Sequence, residues 1–312
     1  MRVVVTGGAG FIGSHVTDAF LARGDDLAVI DDLSAGHLGR LDDRVSLHKV
    51  SVTDADSLNE VIGAIKPELI CHLAAQIDVR ASVGHPAADA QANVIGTINV
   101  LEAARGVDAR VLLCSTGGAL YGRDAPIPSL EDVLPLPESP YGIAKHCAEQ
   151  YVGLYNRLHQ ASHTVLRLAN VYGPRQDPSG ESGVVPIFCS QALAGIRPTI
   201  FGDGRQTRDL VYVGDAVAAF IAAADQHMPG TWNIGTGIEV SVLELAKVIG
   251  DVTGNPVEPL FAPARPGELQ RSALAVERAR RDLGWQAKTG LADGIRAVCQ
   301  WIEAGTPDRA PA

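Results

Sequence analysis

The chain predicts an α/β fold built on a doubly wound parallel sheet, followed by a smaller, less regular C-terminal α/β region. Three observations carry this. Short β-branched runs alternate with longer segments of helical period through the first half, and a glycine turn separates the first run from the first helical segment. The runs are also apolar throughout rather than alternating, as expected of strands buried on both faces. Parallel neighbours need a crossover long enough to hold a helix, so repeated β-α alternation implies a parallel sheet. Ligands of such sheets gather at the carboxyl ends of the strands.

In order, Arg2–Thr6 reads as a strand and Phe11–Arg23 as a helix, joined by the glycine turn. Leu27–Asp31 and Val45–Val50 are the next strands, and Asp54–Ile65 the next helix. Strand Leu69–Leu73 is followed by a helix over Pro86–Ala104, with proline where a first turn tolerates it. Val111–Ser115 and Thr164–Leu168 are strands on either side of a helix over Pro140–Leu158. After Asn170 the regularity falls, because Gly173-Pro174-Arg175-Gln176-Asp177-Pro178-Ser179-Gly180 is loop chemistry. Shorter mixed elements follow, then a helical tail over Leu291–Ala304. We therefore divide the chain into residues 1–170 and 171–312, with Asp209–Val213 and Trp232–Ile234 expected to return to the main sheet.

With 312 residues, 46% of them hydrophobic, the chain can bury a substantial core. A net charge of −10 argues against a general nucleic-acid or anionic-membrane surface. The five cysteines are scattered, odd in number and never spaced Cys-x-x-Cys, so neither a disulfide framework nor a metal site is expected, and a reduced, cytoplasmic setting fits. The longest apolar stretch, Ala216 to Ala224, is too short to span a bilayer, and neither a signal peptide nor an anchor is expected.

The chemistry starts at Thr6-Gly7-Gly8-Ala9-Gly10-Phe11-Ile12-Gly13. Gly7, Gly10 and Gly13 lie between a strand and a helix, where backbone N–H groups and a helix N-terminus can face a pyrophosphate; the plain alternative is a structural turn. Asp31-Asp32 closes the next strand about twenty residues on, where a carboxylate accepts from an adenosine ribose and favours NAD over NADP. The plain alternative there is a turn or capping residue. Tyr141 and Lys145 are spaced four apart on a predicted helix, which puts phenol and ammonium on one face, about 5–6 Å apart at Cβ. Alone, such a pair is more often a solvated helix face. A free phenol has a pKa of about 10. A neighbouring cation lowers it by about 1–3 units, toward what a catalytic base needs. The run Ser115-Thr116-Gly117-Gly118-Ala119-Leu120-Tyr121-Gly122 ends a strand at the same sheet edge, so Thr116 or Ser115 is placed to hydrogen-bond a reacting oxygen. A hydride carrier beside an acid/base unit makes redox chemistry at a carbon bearing a hydroxyl.

These motifs together resemble the extended short-chain dehydrogenases/reductases, and most closely the nucleotide-sugar 4-epimerases acting on pairs such as UDP-glucose and UDP-galactose. The resemblance runs along nearly the whole chain. It rests on the glycine loop, Asp31, Leu73-Ala74-Ala75, Asn93-x-x-Gly96-Thr97, the serine/threonine strand end, Tyr141 with Lys145, Asn170-Val171-Tyr172-Gly173-Pro174-Arg175, Arg208-Asp209 and Arg265-Pro266-Gly267-Glu268. It implies a Rossmann-type sheet holding NAD, with the loop glycines, Phe11 and Ile12 at the pyrophosphate and Asp31, Asp32 and Ser34 around the adenosine ribose. Leu73, Ala74, Ala75, Asn93 and Lys145 would line the nicotinamide side. Asn170, Val185, Thr199, Phe201, Arg208, Arg265 and Glu268 would hold the UDP portion of a UDP-sugar. It also implies a homodimer through the helices of Pro86–Ala104 and Pro140–Leu158.

Three departures qualify the resemblance. Gly117 stands where the family's catalytic Ser/Thr usually lies, four residues before Tyr121-Gly122, so Thr116 must substitute and Ser115 is the poorer candidate. Ser51 and Val52 stand where an acid often contacts adenine. Ser272 stands where glucose-restricted members carry a bulky residue, which leaves room for a larger sugar substituent. The related dehydratases and decarboxylases place an acid just after the catalytic hydroxyl, whereas here those positions are Gly117, Gly118 and Ala119. A redox cycle that returns its hydride, from Tyr141 acting on the sugar 4-OH, is therefore favoured over elimination. UDP-glucose/UDP-galactose is the first expectation, the uronate pair second and the N-acetylhexosamine pair third.

Overall fold

The structure is a computed structural model that describes residues 1–178, 183–265 and 269–305. Its centre is a seven-stranded parallel sheet of β1 (Arg2–Thr6), β2 (Asp26–Ile30), β3 (Ser46–His48), β4 (Leu69–His72), β5 (Arg110–Thr116), β6 (Thr164–Leu168) and β10 (Gly230–Ile234), in spatial order β10-β6-β5-β4-β1-β2-β3. The order reverses between β1 and β4, so the crevice beyond their carboxyl ends is where such sheets take ligands. Val3, Val4 and Val5 are all fully buried, which explains an apolar run without alternation.

Helices cover both faces. Helix α1 (Phe11–Ala22) and α8 (Val213–Gln226) bury Val16, Phe20, Ala219 and Phe220 against one face. On the other, α2 (Ala55–Ile65), α5 (Gly96–Gly106) and α6 (Pro140–His159) bury Leu58, Ile62, Leu101, Ala148 and Val152. Two short helices, α3 (Val79–Gly84) and α4 (Pro86–Ala90), precede α5 and pack on the start of α6. The Ser139 hydroxyl accepts from the Gly142 amide and Pro140 takes the first turn, so α6 begins at a defined residue, with Tyr141 second in the helix.

The rest builds a lobe with its own core of Tyr172, Phe188, Ile249, Ile295 and Val298. It contains β7 (Asn170–Tyr172), α7 (Val184–Leu193), β8 (Thr199–Phe201), β9 (Thr207–Tyr212), β11 (Glu239–Ser241), α9 (Val242–Thr253), β12 (Leu260–Ala262) and α11 (Leu291–Glu303), while α10 (Glu277–Leu283) packs beside β10. Strand β9 lies between β11 and β7, and β12 pairs with β8.

Two expectations change. Trp232–Ile234 does return to the main sheet, but Asp209–Val213 does not: it pairs with Asn170–Tyr172 and Glu239–Ser241. Strand period alone cannot choose a partner, and both segments are equally apolar. The helix expected over Pro86–Ala104 is interrupted by a π-turn at Gln91–Ile95. Thr97 Oγ1 donates to the Asn93 carbonyl inside that widened turn (2.7 Å), while the Asn93 side chain leaves to brace Gln76. Such turns are common at functional sites. No helix of the described residues is long and apolar enough to cross a membrane.

Candidate active site

The glycine turn closes on itself. Gly7 has φ of +70°, and a Cβ there would come within 2.6 Å of the Ala74 amide, while one on Gly13 would meet the Gly7 carbonyl at 2.0 Å. Only glycine lets α1 start this close to β1 and β4. No side chain caps α1, and its first turn carries no acid, so the amides around Phe11 and Ile12 are left for an anion. Beside them Asp31 is buried, its carboxylate accepting from the Ala9 amide and the Leu33 amide, both at 2.9 Å. This pins the carboxylate against the turn with lone pairs remaining for a ribose diol. An uncapped helix end with a fixed carboxylate one strand over fits a dinucleotide.

Neighbouring positions divide. Asp32 and Ser34 form a local turn, with the Ser34 amide and hydroxyl both donating to Asp32 Oδ1. Ser51 bonds Thr53, and Val52 is core, packed where a Cβ on Gly96 would fall. Leu73 packs against the core under α1, and the Ala74 amide donates to Thr6 Oγ1 at 3.3 Å, leaving Ala74 and Ala75 partly buried past the end of β4. Asn93 is buried, its amide spent on Gln76 and Asp89, so it braces the wall rather than presenting a free donor.

Beneath the turn runs a hydrogen-bonded chain that single-residue motifs did not reveal. Because Thr97 Oγ1 donates to the Asn93 carbonyl, it accepts from His72 Nε2 (3.1 Å); His72 Nδ1 then accepts from Thr6 Oγ1 (2.7 Å). One tautomer, protonated on Nε2, satisfies every member. Burial, helped by the charge of Lys145, holds the His72 imidazole down to about 3. A histidine ending an apolar strand two residues before Ala74 was the available signal.

At the end of β5, Thr116 meets Tyr141. The Thr116 hydroxyl accepts from the Ala119 amide (3.2 Å) and lies near enough to the phenol to oppose the rise in its proton affinity. Lys145, buried one turn along α6, donates to the Cys114 carbonyl at 3.0 Å. Burial pushes the Tyr141 phenol up, with the Cys114 and Asp89 charges adding to the rise and the Thr116 contact opposing it. Burial likewise lowers Lys145. Burial thus opposes ionisation of the phenol, because loss of hydration outweighs its nearby polar groups.

Ser115 is not brought to the phenol. Its hydroxyl donates to Glu149 Oε1 (2.5 Å), and Glu149 is clamped by Arg167 through Nε (3.0 and 3.1 Å) and Nη2 (2.7 Å). Arg167 also reaches the Tyr121 hydroxyl, which donates to Asn233 Oδ1, both at 2.8 Å. This buried network ties β5, α6, β6 and β10 together under the site.

On the lobe side, Asn170 comes to the strand end: a Cβ on Gly118 would lie 3.1 Å from its Oδ1. Thr199 and Phe201 lie on β8, and the Arg265 guanidinium stacks 3.9 Å from the Phe201 ring centroid. Arg208 on β9 donates to the Thr207 carbonyl and is half-buried, and Ser272 is buried. Val185 goes elsewhere; its side chain is 2% exposed in the lobe core, a packing role. Glu268 lies outside the described residues.

Comparison with known proteins agrees with this geometry. The family model described as NAD dependent epimerase/dehydratase family matches residues 3–235. The chain is similar to a UDP-glucose 4-epimerase of Mycolicibacterium smegmatis, 46% identical over 309 residues, covering 97% of this chain and 98% of that one. It is also similar to the crystal structure of UDP-glucose 4-epimerase with UDP-glucose from Thermotoga maritima, with a TM-score of 0.95, 40% identity and coverage of 98% and 99%. A Thermus thermophilus UDP-glucose 4-epimerase in complex with NAD superposes with a TM-score of 0.91 at 37% identity, covering 97% and 99%. A glycine turn fitted to a dinucleotide, a Thr-Tyr-Lys group at the same sheet edge and a family match over most of the chain together place this protein in the NAD dependent epimerase/dehydratase family of extended short-chain dehydrogenases/reductases.

Proposed function

We propose that the protein is an NAD-dependent UDP-hexose 4-epimerase, with UDP-glucose and UDP-galactose as its first substrates. The observation that carries this is the Thr116–Tyr141 contact beside buried Lys145, at the sheet edge that also holds the glycine turn. Bound NAD supplies the positive ring that accepts the C4 hydride and afterwards returns it to the other face of the sugar. Tyr141 takes the 4-OH proton and later gives it back. Thr116 aligns that oxygen, and Lys145, anchored on the Cys114 carbonyl, keeps a cation beside the phenol. Because burial raises the Tyr141 phenol, a positive cofactor ring beside it would favour the base form.

Asn170, Phe201, Arg208 and Arg265 are our candidates for holding the UDP group. The guanidiniums would answer the diphosphate and the Phe201 ring the base. Ser272, small and buried, is the reason to test larger sugars. We read α3, α4 and α6 with the π-turn as a self-association surface, because Val83, Ile95, Ile143 and Leu158 are exposed there. Five unpaired cysteines suit a cytoplasmic setting.

The test is incubation of the purified protein, without added NAD, with UDP-glucose, UDP-glucuronate and UDP-N-acetylglucosamine separately, followed by NMR and mass analysis. A new stereoisomer of unchanged mass is expected. Loss of water or CO₂ would instead assign the chain to the lyase branch.

A further inference from the structure

One buried acid of the lobe has no task in the chemistry above. Asp209 is 1% exposed on β9. Its Oδ1 accepts from the Thr236 amide (2.8 Å) and the Thr236 hydroxyl (2.6 Å), and its Oδ2 from the Gly237 amide (3.0 Å) and the Leu274 amide (3.2 Å). Two donors on each oxygen take up the lone pairs of both, the arrangement of a carboxylate. Burial pushes the carboxyl up, and these four bonds oppose the rise. The approach is tight: a Cβ on Gly235 would meet Asp209 Oδ2 at 2.4 Å.

Three segments distant in sequence therefore meet at one side chain, and Leu274 is the member that reaches the active site. Its neighbours Ala273 and Ala275 are bonded to Ser129, so the segment is held between that residue and Asp209. The Leu274 side chain is buried with Leu120, Tyr121, Ala169 and Val211, and lies so close to Gly117 that a Cβ there would come 2.5 Å from its Cδ1. The Gly117 amide donates to the Leu168 carbonyl (2.7 Å), and Thr116 Oγ1 accepts from the Ala119 amide. The turn that carries the candidate hydroxyl is thus bonded to the end of β6 and packed against Leu274. We propose that Asp209 is a positioning residue for the reaction: by holding the Leu274 amide it keeps the Leu274 side chain seated on Gly117, and this fixes the turn that aims the Thr116 hydroxyl. Arg208, its neighbour on β9, faces the other side of the strand, so the diphosphate grip is separate from this contact.

This rests on the role proposed for Thr116, so two measurements keep the ideas apart. Asp209→Ala removes all four bonds; Asp209→Asn, with a single oxygen, keeps two at most and serves if the first does not fold. In a stability cycle with Gly117→Ser, the fall in melting temperature caused by the serine should shrink by about half or more in the Asp209 variant, because a released Leu274 can give way. Equal falls in both backgrounds overturn the proposal. In a turnover cycle counted per NAD-loaded site, the Asp209 variant should lose about tenfold in kcat, with KM for the UDP-sugar changed by less than about threefold. Thr116→Val should then cost no more than about threefold further, since the hydroxyl is already misplaced. An unchanged kcat, or a Thr116→Val penalty as large as in the parent chain, overturns the proposal. A parent chain that turns over no UDP-sugar fails the reading of the site instead, and the melting cycle still decides whether Asp209 seats Leu274 on Gly117.

Discussion

Leu274 occupies the space that a side chain on Gly117 would need: a Cβ built there would lie 2.5 Å from Leu274 Cδ1. The loop carrying Leu274 is fixed, its amide donating to Asp209 and its neighbours Ala273 and Ala275 bonded to Ser129. This explains physically why the hydroxyl near the base comes from Thr116 and not from position 117.

Gly117→Ser should therefore destabilise the fold by about 1–3 kcal/mol through overpacking. Leu274→Ala in the same chain should relieve much of that strain. Thermal melts of the two single variants and the double variant would show a coupling of about 1 kcal/mol or more; additive costs would mean that the two residues do not compete for space.

Tyr141→Phe should reduce turnover by about 10²–10⁴ while bound NAD is retained, because the glycine turn and Asp31 are untouched. Thr116→Val should cost less, about 10–100-fold, and Thr116→Ser should recover most of it. Steady-state rates together with cofactor absorbance check this, and near-normal turnover in Tyr141→Phe would remove the base from the mechanism.

Acid should weaken the fold through its buried histidines. Burial holds His72 down to about 3 and His163 to about 4, against 6.5 in the unfolded chain. A folded pKa below the unfolded one means that the unfolded state binds more protons, so the stability is complete above about 6.5 and is lost as pH falls toward the folded values. By pH 5 each site should cost on the order of 2 kcal/mol. Urea unfolding at pH 7.5 and pH 5 gives the difference, and equal midpoints would contradict it.

Glu149→Gln should destabilise by about 3–5 kcal/mol, since it strands a buried Arg167. Replacing both, as Glu149→Leu with Arg167→Met, should cost less than the sum. The single variant should also free the Ser115 hydroxyl, so a turnover that tracks only the loss of folded protein would fit the bracing role assigned to Ser115.

Much of the Rossmann half was legible because its signals are local. The apolar runs of β1, β4 and β6 came out within a residue of their observed ends. The cap at Ser139-Pro140 marks where α6 begins. The π-turn around Asn93 was not legible, since it depends on Gln76, a residue from another segment. The same holds for the choice of partners by Thr207–Tyr212 and for the burial of Val185 in the lobe core.

The amino-acid order alone determined the alternation of strands and helices, the glycine spacing and the one-turn separation of Tyr141 from Lys145, because each is a matter of neighbours within a few residues. The tertiary structure alone decided which hydroxyl faces the phenol and that Ser115 serves Glu149. Those outcomes are contacts between distant segments, and a buried charge or a crowded methyl takes its meaning from what the fold packs around it.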